Sequence, residues 1–433
     1  MKKPLKKKRV KKPPKVTASE VTHLVTEKFT ETVDKVAETV DKVGKKVPVV
    51  GLSTKVASAA YHEAREQVPE LLVASKTAST VIRQVSKYLP EELLPHQRIT
   101  SVIAGVGKYV PEKVMTSEYI EKTVGFEDKF NMPLGTIEKI TGVRERRYVT
   151  GDQISSDMAY EASKIALERA GVEPEEIDIL IFASASHDVA EPATANIVQA
   201  KLGALNAHCM DTKNACNSFL NGVDIMDAFM RTGRCKVGLV AAGEVLSKFV
   251  NWDIETMEEL GLGFSAFTLG DGGGAVVFKA AEDTGRGIRK TFFSSDGRAW
   301  DLATIKGGGT LCPFDLSQYY FVSHSADINR LAMRQIPPAM KSMFENTGWA
   351  FDDVELVVPH QVTQSITERI MKIVGLPVER AMITVSKYGN TAAASIPIAL
   401  ADAVEEGRVR ENSNVALVGG ASGFSVGIIT VVL

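Results

Sequence analysis

The chain has 433 residues, 44% apolar and 24% charged, with a formal net charge of −2; that length predicts two domains or one large duplicated one. No run approaches the ~18 apolar residues of a membrane-spanning helix, and a basic N-terminus without an apolar segment behind it argues against a secretory signal. Cys209, Cys216, Cys235 and Cys312 include no CxxC pair, which speaks against a zinc site and a disulfide framework and for a reducing cytosol.

The charge is unevenly placed. Residues 2–15 carry nine Lys/Arg and no acid, so the rest of the chain stands at −11. Residues 1–16 are too charged and proline-broken to bury anything and are expected to be disordered. Residues 17–97 read as a helical extension and linker. In it the heptad echo TVDKVAE, TVDKVGK puts Val33, Val36, Val40 and Val43 on one stripe. Weak helices then run to about Tyr88, and Leu89-Pro90 and Leu94-Pro95 mark the linker. Three readings stand for the tail: a solvated arm, attraction to an anionic membrane surface, and nucleic-acid binding, which nothing else in the chain supports. The expected location is cytoplasmic, or peripheral to a membrane.

From about Ile99 strands and helices alternate, the pattern of a sheet covered by helices. DILIFASAS (178–186), KVGLVAAG (236–243), GAVVFKAA (274–281), VELVVPHQ (354–361), NVALVGGASG (414–423) and GIITVVL (427–433) read as buried strands. The chain also repeats itself at one constant offset. Sliding position 168 onto position 345 lays ERAGVEPEEIDILI (168–181) over ENTGWAFDDVELVV (345–358) and LVAAG (239–243) over ALVGG (416–420). The same shift lays the turn holding Cys216 over KYGNTAAASIP (387–397). Two similar α/β halves, 98–281 and 285–433, are therefore expected to form a pseudo-twofold pair.

Equivalent turns of such halves meet near the axis. Cys216 in TKNACNSFLNG (212–222) is thus expected to face His360, at the end of one strand, and Asn390, in the matching turn. Each has a plain structural account: core cysteine, hydrogen-bonded strand-end histidine, turn asparagine. Together they suit nucleophilic catalysis. A thiol at a helix N-terminus is expected to be biased toward thiolate, and imidazole and amide N–H groups can hold an enolate. That is equipment for Claisen condensation. Gly270–Gly274 lacks the Lys-Ser/Thr of a phosphate loop and reads as close backbone packing. Gly307–Gly309 reads as a flexible loop. His187, His208, Cys209 and Cys235 read as structural.

ITGVRER (140–146), NAC (214–216), LGDGGGAVVF (269–278), VPHQ (358–361), YGNTAAASIP (388–397) and GGASGF (419–424) resemble the thiolase-superfamily condensing enzymes, ketoacyl synthase III above all. The resemblance covers 98–433. It implies a duplicated five-layer αβαβα fold of class α/β, a homodimer, and a 3-oxoacyl synthase III-like acyltransferase of fatty-acid or related lipid synthesis. It also implies that Cys216 is acylated by an acyl-CoA and that His360 and Asn390 stabilise the enolate of a malonyl thioester. The backbone N–H groups of Cys216 and Ser422 would form the oxyanion hole, and Phe219 would line the acyl pocket. No cofactor is implied beyond CoA thioesters as substrates.

The sequence departs from that family at several places. Thr136 and Ile140 stand where a tryptophan and an arginine usually meet CoA, and Val362-Thr363 replaces Ala-Asn. Ser365 replaces the arginine that docks acyl carrier protein, and Gly420 replaces a phenylalanine. In DVAEPATANIVQ (188–199), Glu191 resembles the glutamate of enzymes that join two acyl-CoAs head-to-head in olefin synthesis. There it would act in the partner subunit as the base that removes an α-proton; its plain alternative is a loop acid capping the following helix. A third possibility is a membrane-tethered scaffold of reduced activity.

Overall fold

The computed structural model describes residues 99–433; the expectations for the basic tail, the valine stripe and the helical extension lie outside the described residues. The first half runs β1 (Ile99–Tyr109), β2 (Lys113–Thr116), α1 (Ser117–Val124), α2 (Phe126–Phe130), α3 (Thr136–Thr141), β3 (Glu145–Tyr148), α4 (Ser155–Ala170), β4 (Ile179–Ala183), α5 (Thr194–Leu202), β5 (His208–Thr212), α6 (Ser218–Arg231), β6 (Val237–Glu244), α7 (Met257–Gly263) and β7 (Gly272–Glu282). The second runs β8 (Gly287–Ser295), β9 (Ala303–Thr304), β10 (Val322–Ser323), α8 (Ser325–Thr347), β11 (Leu356–Pro359), α9 (Gln364–Val374), α10 (Val385–Tyr388), α11 (Ser395–Glu405), β12 (Asn414–Ala421) and β13 (Ser425–Val432).

Local chemistry sets these boundaries. ILIFA in β4 is buried at every position, as a strand covered on both faces requires. α4 stops where Gly171 turns left-handed, and α8 stops the same way at Gly348. The unbroken buried run Ser395–Ala403 makes α11 a helix enclosed on all sides rather than a surface helix.

Two main sheets result, in the orders β1-β7-β6-β4-β5 and β11-β12-β13-β8, beside the two-stranded pairs β2-β3 and β10-β9. α4 and α5 cover the outer face of the first, and α8, with α9 against it, covers the outer face of the second; α6 and α11 lie between and touch both. These are the five alternating layers expected, with the main core between the sheets. Packing there is close enough to require glycine in β7. A Cβ on Gly273 would lie 2.0 Å from the Met158 carbonyl oxygen of α4, and one on Gly274 would lie 2.7 Å from Pro397 of α11. Outside the layers, α1–α3 and α7 share a separate core around Phe126, Phe130 and Phe267. No described helix is long and apolar enough to cross a membrane.

The duplication reaches the residue level. The shift that carries position 168 onto 345 also carries both ends of β6 onto both ends of β12 and the start of α6 onto the start of α11. It superposes the 3₁₀ turns Pro174–Glu176 and Phe351–Asp353 as well. The halves differ at one edge. Where the first sheet has β5, the second has a single bridge between Val357 and Ala381, because the turn Val378–Arg380 and α10 leave too little chain for a strand.

Candidate active site

The chain leaves β5 at Thr212 and enters α6 at Ser218, with Cys216 between. Ala215 takes a left-handed φ of 46°, which an L side chain rarely adopts. The turn is fixed by Ser218, whose Oγ donates to the Ala215 carbonyl at 2.7 Å and accepts from the Asn214 N–H at 2.8 Å. Asn217, fully buried, donates from Nδ2 to Ser425 Oγ at 2.9 Å and so anchors the turn to the second half. The expectation of a thiolate is corrected by this geometry. Cys216 precedes the first residue of α6, and burial, then the Glu244 carboxylate, pushes its thiol up to about 12. Desolvation outweighs the helix dipole, and the resting group is a thiol.

The second-half turn repeats the first. Ala392, the duplicate of Ala215, has φ 40°, and Ser395 Oγ donates to the Ala392 carbonyl at 2.7 Å as Ser218 does to Ala215. Asn390 is clamped on both sides: its N–H donates to Thr268 O at 2.8 Å, and its carbonyl accepts from Gly270 N–H at 3.0 Å. That contact needs glycine, since a Cβ on Gly270 would fall 2.1 Å from the Tyr388 carbonyl oxygen. Asn390 Oδ1 accepts the Ala392 N–H at 2.9 Å, which leaves its amide NH₂ as the donor end.

His360 follows β11, its N–H donating to Val418 O at 2.7 Å. Its Nδ1 lies 2.8 Å from Ser395 Oγ, while Nε2 is buried without a partner among the described residues. Burial holds the imidazole pKa down at about 4, so the ring is neutral at physiological pH. The Ser395 hydroxyl proton serves either the Ala392 carbonyl or Nδ1. In the first case Nδ1 is the ring N–H and Nε2 accepts; in the second Nε2 is the donor.

All three residues converge on the turn 390–395. Asn390 and the His360 partner Ser395 belong to it, and Cys216 packs against the apolar cluster of Leu246, Ala266, Leu269 and Ala392, beside Ala185, Phe249 and Phe321. Beneath it lies Arg146 of the ITGVRER stretch, fully buried, donating to the carbonyls of Met115 (3.1 Å) and Phe267 (2.6 Å) and to Ser117 Oγ (3.1 Å). Its Cβ would lie 3.2 Å from a Cβ at Gly270 and 2.9 Å from one at Gly389. Gln361, also buried, accepts from Thr384 N–H (2.7 Å) and Val385 N–H (2.9 Å) and fixes the entry to α10.

A cleft with about 620 Å³ of empty space, part of it open to solvent, reaches His360 between α8 and α9. Ile328, Ala332, Ile336, Ile366 and Met371 supply apolar walls, and Gly420 and Val418 form its floor. A Cβ at position 420 would meet Ile336 Cδ1 at 2.9 Å, so the glycine leaves this space clear.

The other expected residues sit elsewhere. Phe219 is fully buried in the central core and does not line this cleft. Glu191 is exposed on the loop before α5, and it does not cap that helix: Asp211 accepts the N–H groups of Thr194 and Ala195, both at 2.8 Å. Ser422 lies in the partly exposed turn between β12 and β13. Thr136 is buried, whereas Ile140 and Ser365 are on the surface. The Gly307–Gly309 segment is tied back, with Gly307 N–H donating to Gln318 O at 2.7 Å. Sequence reasoning missed Ser395, Asn217 and Glu244. For Glu244 the signal was present, as a single acid ending an otherwise apolar strand.

Comparison with known proteins agrees with this architecture. The family description 3-oxoacyl-[acyl-carrier-protein] synthase III fits residues 210–297, and that of the C-terminal part of the same enzymes fits 344–433. The chain is 38% identical over 291 residues to beta-ketoacyl-[acyl-carrier-protein] synthase III of Listeria monocytogenes, covering 67% of this chain and 87% of that one. Against the enzyme of the same name from Xanthomonas euvesicatoria it is 34% identical over 328 residues, covering 72% and 95%. The crystal structure of 3-oxoacyl-[acyl-carrier-protein] synthase III from Aquifex aeolicus matches with a TM-score of 0.68 at 31% identity, covering 77% of this chain and all of that one. Cerulenin-bound OleA from Xanthomonas campestris matches with a TM-score of 0.70 at 27% identity, covering 77% and 97%. The chain belongs to the 3-oxoacyl-[acyl-carrier-protein] synthase III family, condensing acyltransferases of the thiolase superfamily.

Proposed function

We propose that Cys216 takes an acyl group from an acyl-CoA and passes it to a malonyl thioester, giving a 3-oxoacyl thioester for fatty-acid or related lipid synthesis. Sγ attacks the acyl carbonyl, the C–S bond to CoA breaks, and the proton from Cys216 leaves with the CoA thiol by way of His360 Nε2. The malonyl carboxylate departs as CO₂, and its electron pair forms an enolate held by the Asn390 amide and by His360 Nε2–H, the ring having changed to the tautomer in which the Ser395 hydroxyl donates to Nδ1. The enolate carbon attacks the acyl-cysteine, the C–S bond breaks, and Sγ leaves as a thiolate that takes its proton from water. The backbone N–H groups of Cys216 and Ser422 serve the acyl oxyanion. Leu246, Phe249 and Phe321 are the apolar surroundings for the acyl chain; Phe219 stays behind them in the core.

The observation that carries this reading is the unpartnered, buried Nε2 of His360, beside the turn that presents the Asn390 amide and packs with Cys216. The division into a tail (1–16), an extension (17–97) and two working halves (98–281 and 285–433) belongs to the same proposal.

The cleft and Glu191 favour a second reading, non-decarboxylative head-to-head condensation of two acyl-CoAs. Gly420 leaves the apolar cleft at His360 clear of a side chain, and Glu191, exposed on the loop before α5, would act as the base in the partner of a homodimer. Solved variants of X. campestris OleA replace a cysteine, a histidine and a glutamate, the residue types invoked here.

Intact-mass analysis with acyl-CoAs of graded length, with and without malonyl-CoA or malonyl-carrier protein, tests both. Adducts absent from Cys216→Ala, and 3-oxoacyl product only with the malonyl donor, support the first reading. Product from acyl-CoA alone, lost in Glu191→Ala and reduced in Gly420→Phe, supports the second. No adduct at any length leaves the scaffold.

A further inference from the structure

Glu244, the last residue of β6, is a fully buried carboxylate that the steps above do not use. Its Oε1 accepts the N–H groups of Ala185 (2.7 Å) and Ala393 (3.3 Å), and its Oε2 accepts the N–H (3.0 Å) and Oγ–H (2.6 Å) of Ser186. Ala185 and Ser186 follow β4 in the first half. Ala393 lies in the second half, in the turn of Asn390 and Ser395, at the position that duplicates Cys216. One side chain thus joins the two halves at the point where the nucleophile and the enolate-binding groups meet.

The fold itself does not require an acid here. The duplicate of Glu244, at the same end of β12, is Ala421, and the strand is built equally well. Burying a carboxylate is costly, and the four hydrogen bonds that Glu244 accepts offset that cost. The groups facing Glu244 from the packed elements are neutral, namely three backbone N–H groups and the Ser186 hydroxyl; its ionisable neighbour is the Cys216 thiol.

We propose that Glu244 is a positioning residue, tying the Asn390–Ser395 turn to the first half in register with Cys216 and placing a negative charge beside the thiol. The proposal rests on the assignment of Cys216, His360 and Asn390 given above. The carboxyl is held up at about 7 by burial, so its charge is present mainly above that pH.

Glu244→Gln keeps the shape and one accepting oxygen but removes the charge, and it is measured in the full-length chain beside Glu244→Ala. The readouts are the pH profile of Cys216 alkylation by iodoacetamide, located by peptide mass, and steady-state condensation. In Glu244→Gln, alkylation is expected to run about tenfold faster above pH 7, equivalent to one pKa step, and to converge on the wild type below it. Its kcat is expected to fall about tenfold with KM for acyl-CoA within twofold, as for a loss felt in the transition state. A superimposable alkylation profile, or an unchanged kcat, overturns the proposal. Should Glu244→Ala fail to fold, the glutamine variant alone decides. If the wild type is never acylated by acyl-CoA, the proposed function falls, while the alkylation comparison still reports on the charge beside Cys216.

Discussion

The turn at 213–218 and the turn at 390–395 are two copies of one backbone with different chemistry. Both hold an alanine at positive φ, Ala215 and Ala392, and both bind that alanine's carbonyl with the serine that opens the next helix. The first then offers a thiol. The second offers an amide at Asn390 and lends its serine to His360. Geometry and reactivity separate cleanly here, with the fold supplying the same strained corner twice and the side chains setting the chemistry of each.

The largest test of that division is Cys216→Ala, expected to abolish acyl-adduct formation and lower turnover by at least about a thousandfold. Ala393→Cys, which puts a thiol into the mirrored place, is expected not to restore it. Next come His360→Ala and Asn390→Ala. Each is expected to slow condensation about a hundredfold or more while Cys216 still accepts an acyl group, which single-turnover mass measurements distinguish. If either variant stops acylation as completely as condensation, the two turns do not divide the work as described.

A pH series sharpens the second turn alone. His360 has its folded pKa depressed from 6.5 to about 4, so the unfolded chain binds the extra proton in that window. Wild-type stability relative to His360→Gln is therefore complete above pH 6.5. It is expected to be lost progressively as pH falls toward 4, by up to about 3 kcal/mol. Other groups cancel in the difference, and denaturant melts at several pH values provide it. Equal curves would place the ring in solvent. The smallest effect expected is from Ala215→Gly and Ala392→Gly. Each relieves a left-handed alanine at some cost in chain entropy, for a net gain of about half a kcal/mol. Unequal gains would show that one copy carries tension the other lacks.

Much of this was legible in the sequence because it rests on local patterns repeated once. The strands DILIFASAS and NVALVGGASG are buried whatever surrounds them, and the constant offset between the halves needs no structure to be seen. The same holds for the positions of Cys216, His360 and Asn390, the proposed reactive residues, since each ends or follows a duplicated strand or turn. Glu244 was visible as a lone acid ending an apolar strand, but what it binds was not legible, because its partners lie 58 to 149 residues away on two loops. The protonation of Cys216 was misread because a helix N-terminus is visible in sequence, whereas burial and a neighbouring carboxylate are not. Asp211, rather than Glu191, caps α5 because β5 carries it to the start of that helix, a matter of sheet order. The missing fifth strand of the second sheet followed from a turn whose position only packing sets.

Arg146 shows how far from the chemistry a harmful change can sit. Its guanidinium gathers β2, the start of α1 and the turn before Leu269, and the base of its side chain supports the glycines on either side of the Asn390 clamp. Among the described residues no carboxylate bonds to it, and lysine, with one ammonium in place of a planar fork, cannot reach all three acceptors. Arg146→Lys is thus expected to loosen the Asn390 turn and to slow condensation, although the arginine's hydrogen bonds reach none of Cys216, His360 and Asn390.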